Sequence, residues 1–96
     1  YKKPYATDIG YSEKFTNYFN NNCNADSSAF ILDPKGLHFF KSSKGDYDKK
    51  SCDKLILVLS NHYAQSRIIR WFVEKNYVKT NMKFKDYLIW SSNKEL

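Results

Sequence analysis

Two cysteines and two histidines are the side chains of this 96-residue chain whose types could do chemistry. Cys23, His38, Cys52 and His62 could in principle hold a zinc ion, because thiolate and imidazole are its usual ligands. No two of them stand at the close spacing that zinc modules show. We therefore expect no metal site and no cofactor.

Catalysis is a second possibility for the same side chains. Cys52 with His62 could form a nucleophile–base pair, and His38 or His62 could be the general base of a basic ribonuclease. No third residue stands at a diagnostic spacing to orient such a base. We predict that the chain is not an enzyme, has no catalytic residue and binds no small-molecule substrate.

The net charge of the chain suits an acidic partner. Lys and Arg total 16 against 10 Asp and Glu, which gives a net charge of +6. Only Arg67 and Arg70 are arginines, whereas specific nucleic-acid binding relies on arginine. Phe39 and Phe40 beside Lys41 could stack on single-stranded bases, although neighbours in a strand point to opposite faces. A small basic nucleic-acid-binding domain is therefore the alternative to a solvated basic surface.

A β-hairpin is the local element that the sequence indicates best. Asp33, Pro34 and Gly36 occupy the first, second and fourth positions of a four-residue segment, which is type I turn chemistry. Apolar runs flank this turn at residues 28–32 and 37–42. These segments predict two antiparallel strands.

The hairpin brings the two cysteines toward each other. Cys23 precedes its first strand, and Cys52 follows its second strand after a polar connection. Because the strands are antiparallel, these two points lie at the same end of the hairpin, within reach of a disulfide. A disulfide indicates an oxidising compartment. Two unrelated buried thiols in a cytosolic protein are the other interpretation.

Helices and a last strand complete the expected elements. Residues 12–22 and 66–76 have the apolar spacing of helices, and residues 84–90 the pattern of a strand. Residues 52–62 fit both a buried strand and a helix face, so that periodicity leaves this segment open. We expect one α+β domain over residues 1–96, a small antiparallel sheet with helices on one face. Residues 1–10 would be a lead-in and residues 91–96 a frayed tail.

No apolar run of this chain is long enough to cross a membrane. Nor does an apolar stretch follow Lys2 and Lys3, as it would in a signal peptide. We expect a mature secreted protein or a domain cut from a longer chain, with a cytoplasmic protein as the third possibility.

The order of these features resembles the C-terminal periplasmic domain of TolA, which is related to that of TonB. The resemblance covers residues 9–62, and its matching segments are YSEKFTNYF, Cys23, FILDPKGLHFF, KSSKGD and CDKLIL, with FKDYLIW beyond them. It implies a Cys23–Cys52 disulfide and a helix that contains LILVLS.

The resemblance also implies a function. Such a domain would be periplasmic, tethered to the inner membrane through a preceding segment. It would bind proteins of the TolB or Pal type, and colicins or filamentous-phage coat proteins could exploit it. Binding would add a strand to an open sheet edge. We expect that edge to be the last strand, formed by Phe84, Lys85, Asp86, Tyr87, Leu88, Ile89 and Trp90.

Overall fold

The structure is a computed structural model that describes residues 12–41 and 48–95. The predicted lead-in over residues 1–10 lies outside this part of the chain. The helices are α1 (Ser12–Asn22), α2 (Ser60–Gln65) and α3 (Arg67–Asn76). The strands are β1 (Ser28–Asp33), β2 (Gly36–Lys41), β3 (Lys54–Leu59), β4 (Val78–Lys79) and β5 (Tyr87–Ser91).

The five strands form one sheet in the order β2-β1-β3-β5-β4. The α+β class is thereby confirmed, but the sheet is mixed and not wholly antiparallel. β1 and β3 are parallel, with Ser28 opposite Lys54, while the other three pairs are antiparallel. The chain leaves β2 at the end of the sheet where β1 begins. Since β3 starts at that same end, it runs alongside β1 in the same direction.

Helices lie on both faces of the sheet, whereas the sequence predicted helices on one face only. The cause is the composition of β3, the central strand, which carries apolar side chains on both faces. Leu55 and Leu57 point to one face and Ile56 and Val58 to the other, and all four are buried. A strand with two apolar faces needs cover on each. α1 covers the face of Leu55 and Leu57, called here the α1 face. α2 and α3 lie over the other, the α3 face.

The α1 helix is confirmed over the residues that its spacing predicted. Phe15 and Phe19 are fully buried on its inner side. The Phe15 ring centroid lies 4.8 Å from that of Phe40 on β2 and 5.2 Å from that of Phe84. These edge-to-face contacts join α1 to both halves of the sheet, and burial of large aromatic rings contributes much of the stability of such a core.

The second predicted helix is also confirmed, as α3. Its N-cap is Ser66, whose hydroxyl accepts a hydrogen bond from the Ile69 backbone N–H at 3.2 Å. This bond supplies a partner for one of the N–H groups that a helix start leaves without one. Val73 is buried against the sheet, which fixes α3 over the α3 face.

The hairpin and its turn lie where they were predicted. Asp33 pairs with Gly36 at the end of the strands, and the Asp33 carboxylate accepts a hydrogen bond from the Lys35 N–H at 2.9 Å. Only Gly36 has a positive φ here, at 134°, which excludes type II and primed turns because those need positive φ at Pro34 or Lys35. The turn chemistry therefore matches the sequence prediction.

The segment that periodicity left open is a strand followed by a short helix. Residues 54–59 form β3, and α2 begins at Ser60. The helix that the TolA resemblance implied for LILVLS is therefore absent. The physical reason is that β3 is flanked by β1 and β5, so its backbone groups pair on both sides while β-branched side chains pack on the pleated surface.

The predicted frayed tail is wrong for residues 91–93. Ser91 is fully buried, and its hydroxyl donates to the Cys52 carbonyl at 2.8 Å. The Ser92 N–H donates to the Lys54 carbonyl, and the Asn93 side-chain amide to the Ser51 carbonyl. These bonds fasten the chain end to the start of β3.

Candidate protein-interaction surface

Cys23 and Cys52 form a disulfide, as the position of the hairpin predicted. Their Cα atoms are 5.5 Å apart, and both residues are fully buried. Cys23 lies just before β1 and Cys52 just before β3, so the parallel pairing of these two strands sets their cysteines side by side. The Cys52 N–H donates to the Ser27 hydroxyl at 2.8 Å, which further fixes this end of the sheet.

The two histidines lie apart from the disulfide and from each other. His38 is 5% exposed on the α1 face, where its Nε2 is 3.2 Å from a carboxylate oxygen of Asp33. The imidazole thus fastens β2 to the hairpin turn and does not present a base to solvent. His62 lies half-buried on α2. Within residues 12–41 and 48–95, no three His, Cys, Asp or Glu side chains are grouped to hold a metal ion.

The strand predicted as the open edge is an interior strand. β5 lies between β3 and β4, and it begins at Tyr87, after a tight turn formed by Phe84, Lys85 and Asp86. Beyond the two-residue β4, the Thr80 N–H donates to the Ile89 carbonyl at 2.9 Å. The predicted docking edge over residues 84–90 is therefore wrong. β4 was missed because two exposed residues, Val78 and Lys79, carry no periodic signal.

The long open edge of the sheet is β2. Among the described residues its only strand partner is β1, and it has six residues, against two in β4 at the opposite edge. The outward backbone N–H and C=O groups of such a strand can pair with another chain. Lys35 in the turn and Lys41 at the far end place positive charge at both ends of this edge.

An apolar groove lies beside that edge, between α3 and the hairpin. It has a volume of about 320 Å³ and is lined only by apolar side chains: Leu32, Leu37, Ile56, Ile68, Ile69, Trp71, Phe72 and Val73. We call it the α3 groove. A sequence signal for it exists, since the apolar residues of RIIRWFVEKN span roughly 200° of the helix, wider than one buried stripe.

Lysines border the α3 groove. Lys54 lies with its Nζ 5.6 Å from the Phe30 ring centroid, and Lys75 with its Nζ 4.7 Å from that of Trp71. α3 carries one acid, Glu74, which accepts a hydrogen bond from the Tyr63 hydroxyl of α2. Burial and this bond both raise the pKa of Tyr63, burial the more strongly. The groove therefore combines apolar walls with a basic border.

The sequence matches no protein-family model, and no significant match to a curated protein or a solved structure was found. Within the described part of the chain, no helix has both the length and the apolar character needed to cross a bilayer.

Proposed function

We propose that this chain is a non-enzymatic protein-interaction domain that binds a partner by adding a strand to β2. The observation that carries the proposal is the six-residue edge of β2, which no strand of the described residues pairs on its outer side, whereas the opposite edge strand, β4, has two residues. In strand addition, main-chain hydrogen bonds provide affinity, and alternate side chains of the added strand provide specificity. Leu37 and Phe39, both partly exposed, would contact those side chains.

Contacts with β1 and with the α1 face hold β2 in place, which favours this role. β2 pairs with β1 along its whole length, and Phe40 and His38 anchor it in the α1 face. The disulfide fastens the start of β1 to that of β3. A partner strand would thus meet a preformed template and would not have to order it, which lowers the entropic cost of binding.

An extracytoplasmic location is part of the proposal. The Cys23–Cys52 disulfide supports it, because such bonds persist in oxidising compartments. The TolA/TonB resemblance would make that compartment the periplasm, the tether an inner-membrane anchor and the partners TolB-like, Pal-like, colicin or phage coat proteins. In β3, where the resemblance implied a helix, the chain departs from that pattern. The periplasmic assignment is thus a prediction, and the β2 docking mechanism stands independently of it.

Two measurements test the proposal. Extended peptides selected from a displayed random decapeptide library would be added to the intact protein, and hydrogen–deuterium exchange followed by mass spectrometry or NMR. We expect slower exchange for amides within residues 36–41 and no change within residues 78–79. Binding without protection of β2 would contradict strand addition, as would failure to select any peptide.

The second measurement concerns the compartment. Thiols would be titrated under denaturing, non-reducing conditions in protein purified from its native source. We expect no reactive thiol, since both cysteines are paired. Two free thiols per chain would contradict the extracytoplasmic assignment.

The nucleic-acid alternative has its own signature. A single-stranded oligonucleotide would bind in a salt-sensitive manner and would protect the amides of β2, where no peptide does so.

A further inference from the structure

Within residues 12–41 and 48–95, no helix lies over half of the α3 face. α2 and α3 cover the β3 and β5 half, where Val73 is buried and the Tyr63 ring lies 4.8 Å from that of Trp90. On the β1 and β2 half, Leu37 is 55% and Phe39 36% exposed. Strands are about 4.8 Å apart, and a helix with its side chains is about 10 Å wide. The two uncovered strands therefore leave a space that one helix would fill.

The side of α3 that borders this space is also apolar and exposed. Ile68 is 79%, Trp71 62% and Phe72 47% exposed, although the inner side of the same helix is buried. A monomer rarely leaves so many large apolar side chains contiguous and open unless they bind something. Trp is moreover the residue type most often found among the dominant contacts of protein interfaces.

The charges around the groove select the kind of partner. Lys41 and Lys54 flank Ser28 in one row across β2, β1 and β3, at one end of the groove, while Lys75 extends over Trp71. The strand residues that point to this face are apolar except for Ser28, these two lysines and Lys79 of β4, which lies at the opposite edge of the sheet with its Nζ 5.8 Å from the Trp90 ring centroid. A second copy of the chain would bring the same lysines together, and each copy carries a net charge of +6. Charge complementarity thus favours an acidic partner over self-association.

We propose that the α3 groove binds one amphipathic helix of a partner protein whose apolar stripe is bordered by Asp or Glu. The helix would lie beside α3 and over β1 and β2, with apolar side chains on Leu32, Leu37 and Phe72 and carboxylates near Lys54 and Lys75. A flat bilayer does not reach the floor of the groove at Leu32 and Ile56, whereas the side chains of a helix do. That the partner is a protein rests on the proposed function. The groove lies on the α3 face, whereas the added strand would bind the backbone groups of β2, and the two surfaces share the Leu37 side chain.

Paired synthetic peptides test the proposal directly. One is a 21-residue helix with Leu at the i, i+3, i+4 and i+7 positions and Glu beside them, and the other replaces every Glu by Lys. Neither contains Trp, so a change in tryptophan fluorescence that is lost in Trp71→Phe, which keeps Trp90, reports binding at Trp71 in the intact protein. We expect saturable binding of the Glu peptide, weakening as salt screens the charges, and at least tenfold weaker binding of the Lys peptide.

Matched variants locate the binding site. Phe72→Asp should weaken binding of the Glu peptide roughly tenfold or more, while Val78→Asp, at another exposed apolar position, on β4, should not. Lys54→Glu should weaken it about threefold, while Lys14→Glu on α1, across the sheet, should not. Circular dichroism melts check that each variant is folded. Since all four positions are exposed, we expect native melting curves.

Other occupants give different results, and each would overturn the proposal. If both peptides bound equally well, or neither bound, the proposal that the groove selects a helix bordered by acidic residues would be wrong. A fluorescence change with phosphatidylglycerol vesicles, without one for the Glu peptide, would assign the surface to lipid. Dimers lost in Phe72→Asp would assign it to a second copy. Acrylamide quenches the fluorescence of exposed tryptophan, and comparison with Trp71→Phe isolates the contribution of Trp71. Weak quenching of Trp71 in the free protein would show that the chain itself covers the groove.

These outcomes are separable from those for the proposed function. A helix in the α3 groove changes Trp71 fluorescence and leaves the outward amides of β2 exchanging. A strand at β2 protects those amides. The helix site can therefore fail while strand addition holds, and the reverse.

Discussion

Removal of the Cys23–Cys52 disulfide should be the most damaging change to the stability of this domain. The bond joins residues 29 positions apart, and a cross-link restricts the unfolded chain more the longer the loop it closes. In the chain-entropy model, a loop of this length corresponds to roughly 3.5 kcal/mol of unfolding free energy. That is a large part of the stability expected for a domain of this size, which is on the order of 5–15 kcal/mol.

The position of the bond adds to this effect. Cys23 follows the last turn of α1 and Cys52 precedes β3, so the link holds the helix against the central strands whose core it covers. Both cysteines are fully buried, so that replacing either by Ala removes sulfur from a packed site as well as the cross-link. We therefore expect Cys23→Ala and Cys52→Ala each to lower the melting temperature by about 15–25 °C.

The assay is thermal and urea unfolding followed by circular dichroism. Oxidised wild type would be compared with wild type reduced by dithiothreitol, which keeps all side chains in place and isolates the cross-link. The double Ala variant should resemble the single ones, because one bond is lost in each. A steeper urea dependence should accompany the loss, since the unfolded chain becomes more exposed. Identical melting of oxidised and reduced wild type, with both single variants unchanged, would refute the reasoning.

Three smaller predictions concern the turn, a helix cap and pH. Gly36→Ala should lower the free energy of unfolding by about 1–3 kcal/mol, which is measured as a lower urea midpoint. The cost is backbone strain, because φ is 134° and an added Cβ meets no atom within 4 Å. An unchanged midpoint, as expected for Lys35→Ala, would contradict this. Ser66→Ala should cost about 1 kcal/mol through loss of the α3 cap; a melt equal to that of Gln65→Ala would disprove the cap's role. Burial raises the pKa of Tyr87 above its ordinary 10.0, so the native state holds this proton more tightly than the unfolded state. The resulting stabilisation is complete below pH 10.0 and lost as pH rises through the native pKa. Melts across this range should fall less steeply for Tyr87→Phe, and parallel curves would show that Tyr87 contributes nothing.

Local elements with strong signals could be predicted from the sequence. α1 and α3 have apolar residues at helical spacing, and each amphipathic face meets the sheet as expected. The turn at Asp33–Gly36 is specified by its own residues: Asp33 accepts from the Lys35 N–H, Pro34 sets φ, and Gly36 takes the conformation that other residues avoid. The disulfide followed from the hairpin, because two antiparallel strands bring their outer ends together.

The candidate sites could be predicted only in part. Strand addition at an open edge was expected, but on residues 84–90, because the exposed pair Val78–Lys79 gives no sign that it pairs with β5. The α3 groove was not expected, although the wide apolar surface of α3 was visible in the sequence. Whether Ile68, Trp71 and Phe72 are core or surface depends on which strands lie under the helix, and that is a property of the whole sheet.

The sequence by itself determined the hairpin and the two longer helices, since each depends on contacts between residues close along the chain or joined by one turn. It favoured the pairing of Cys23 with Cys52 over two unrelated thiols, and the parallel pairing of β1 with β3 sets the two cysteines side by side. The tertiary structure alone decided that LILVLS is a central strand. Its residues fit a helix or a strand equally well by period, and the balance shifts only when β1 and β5 pair with it on both sides. That same placement made β5 interior, left β2 as the long open edge and exposed a helix-wide apolar strip beside α3. Long-range pairing decided which of the described surfaces are exposed.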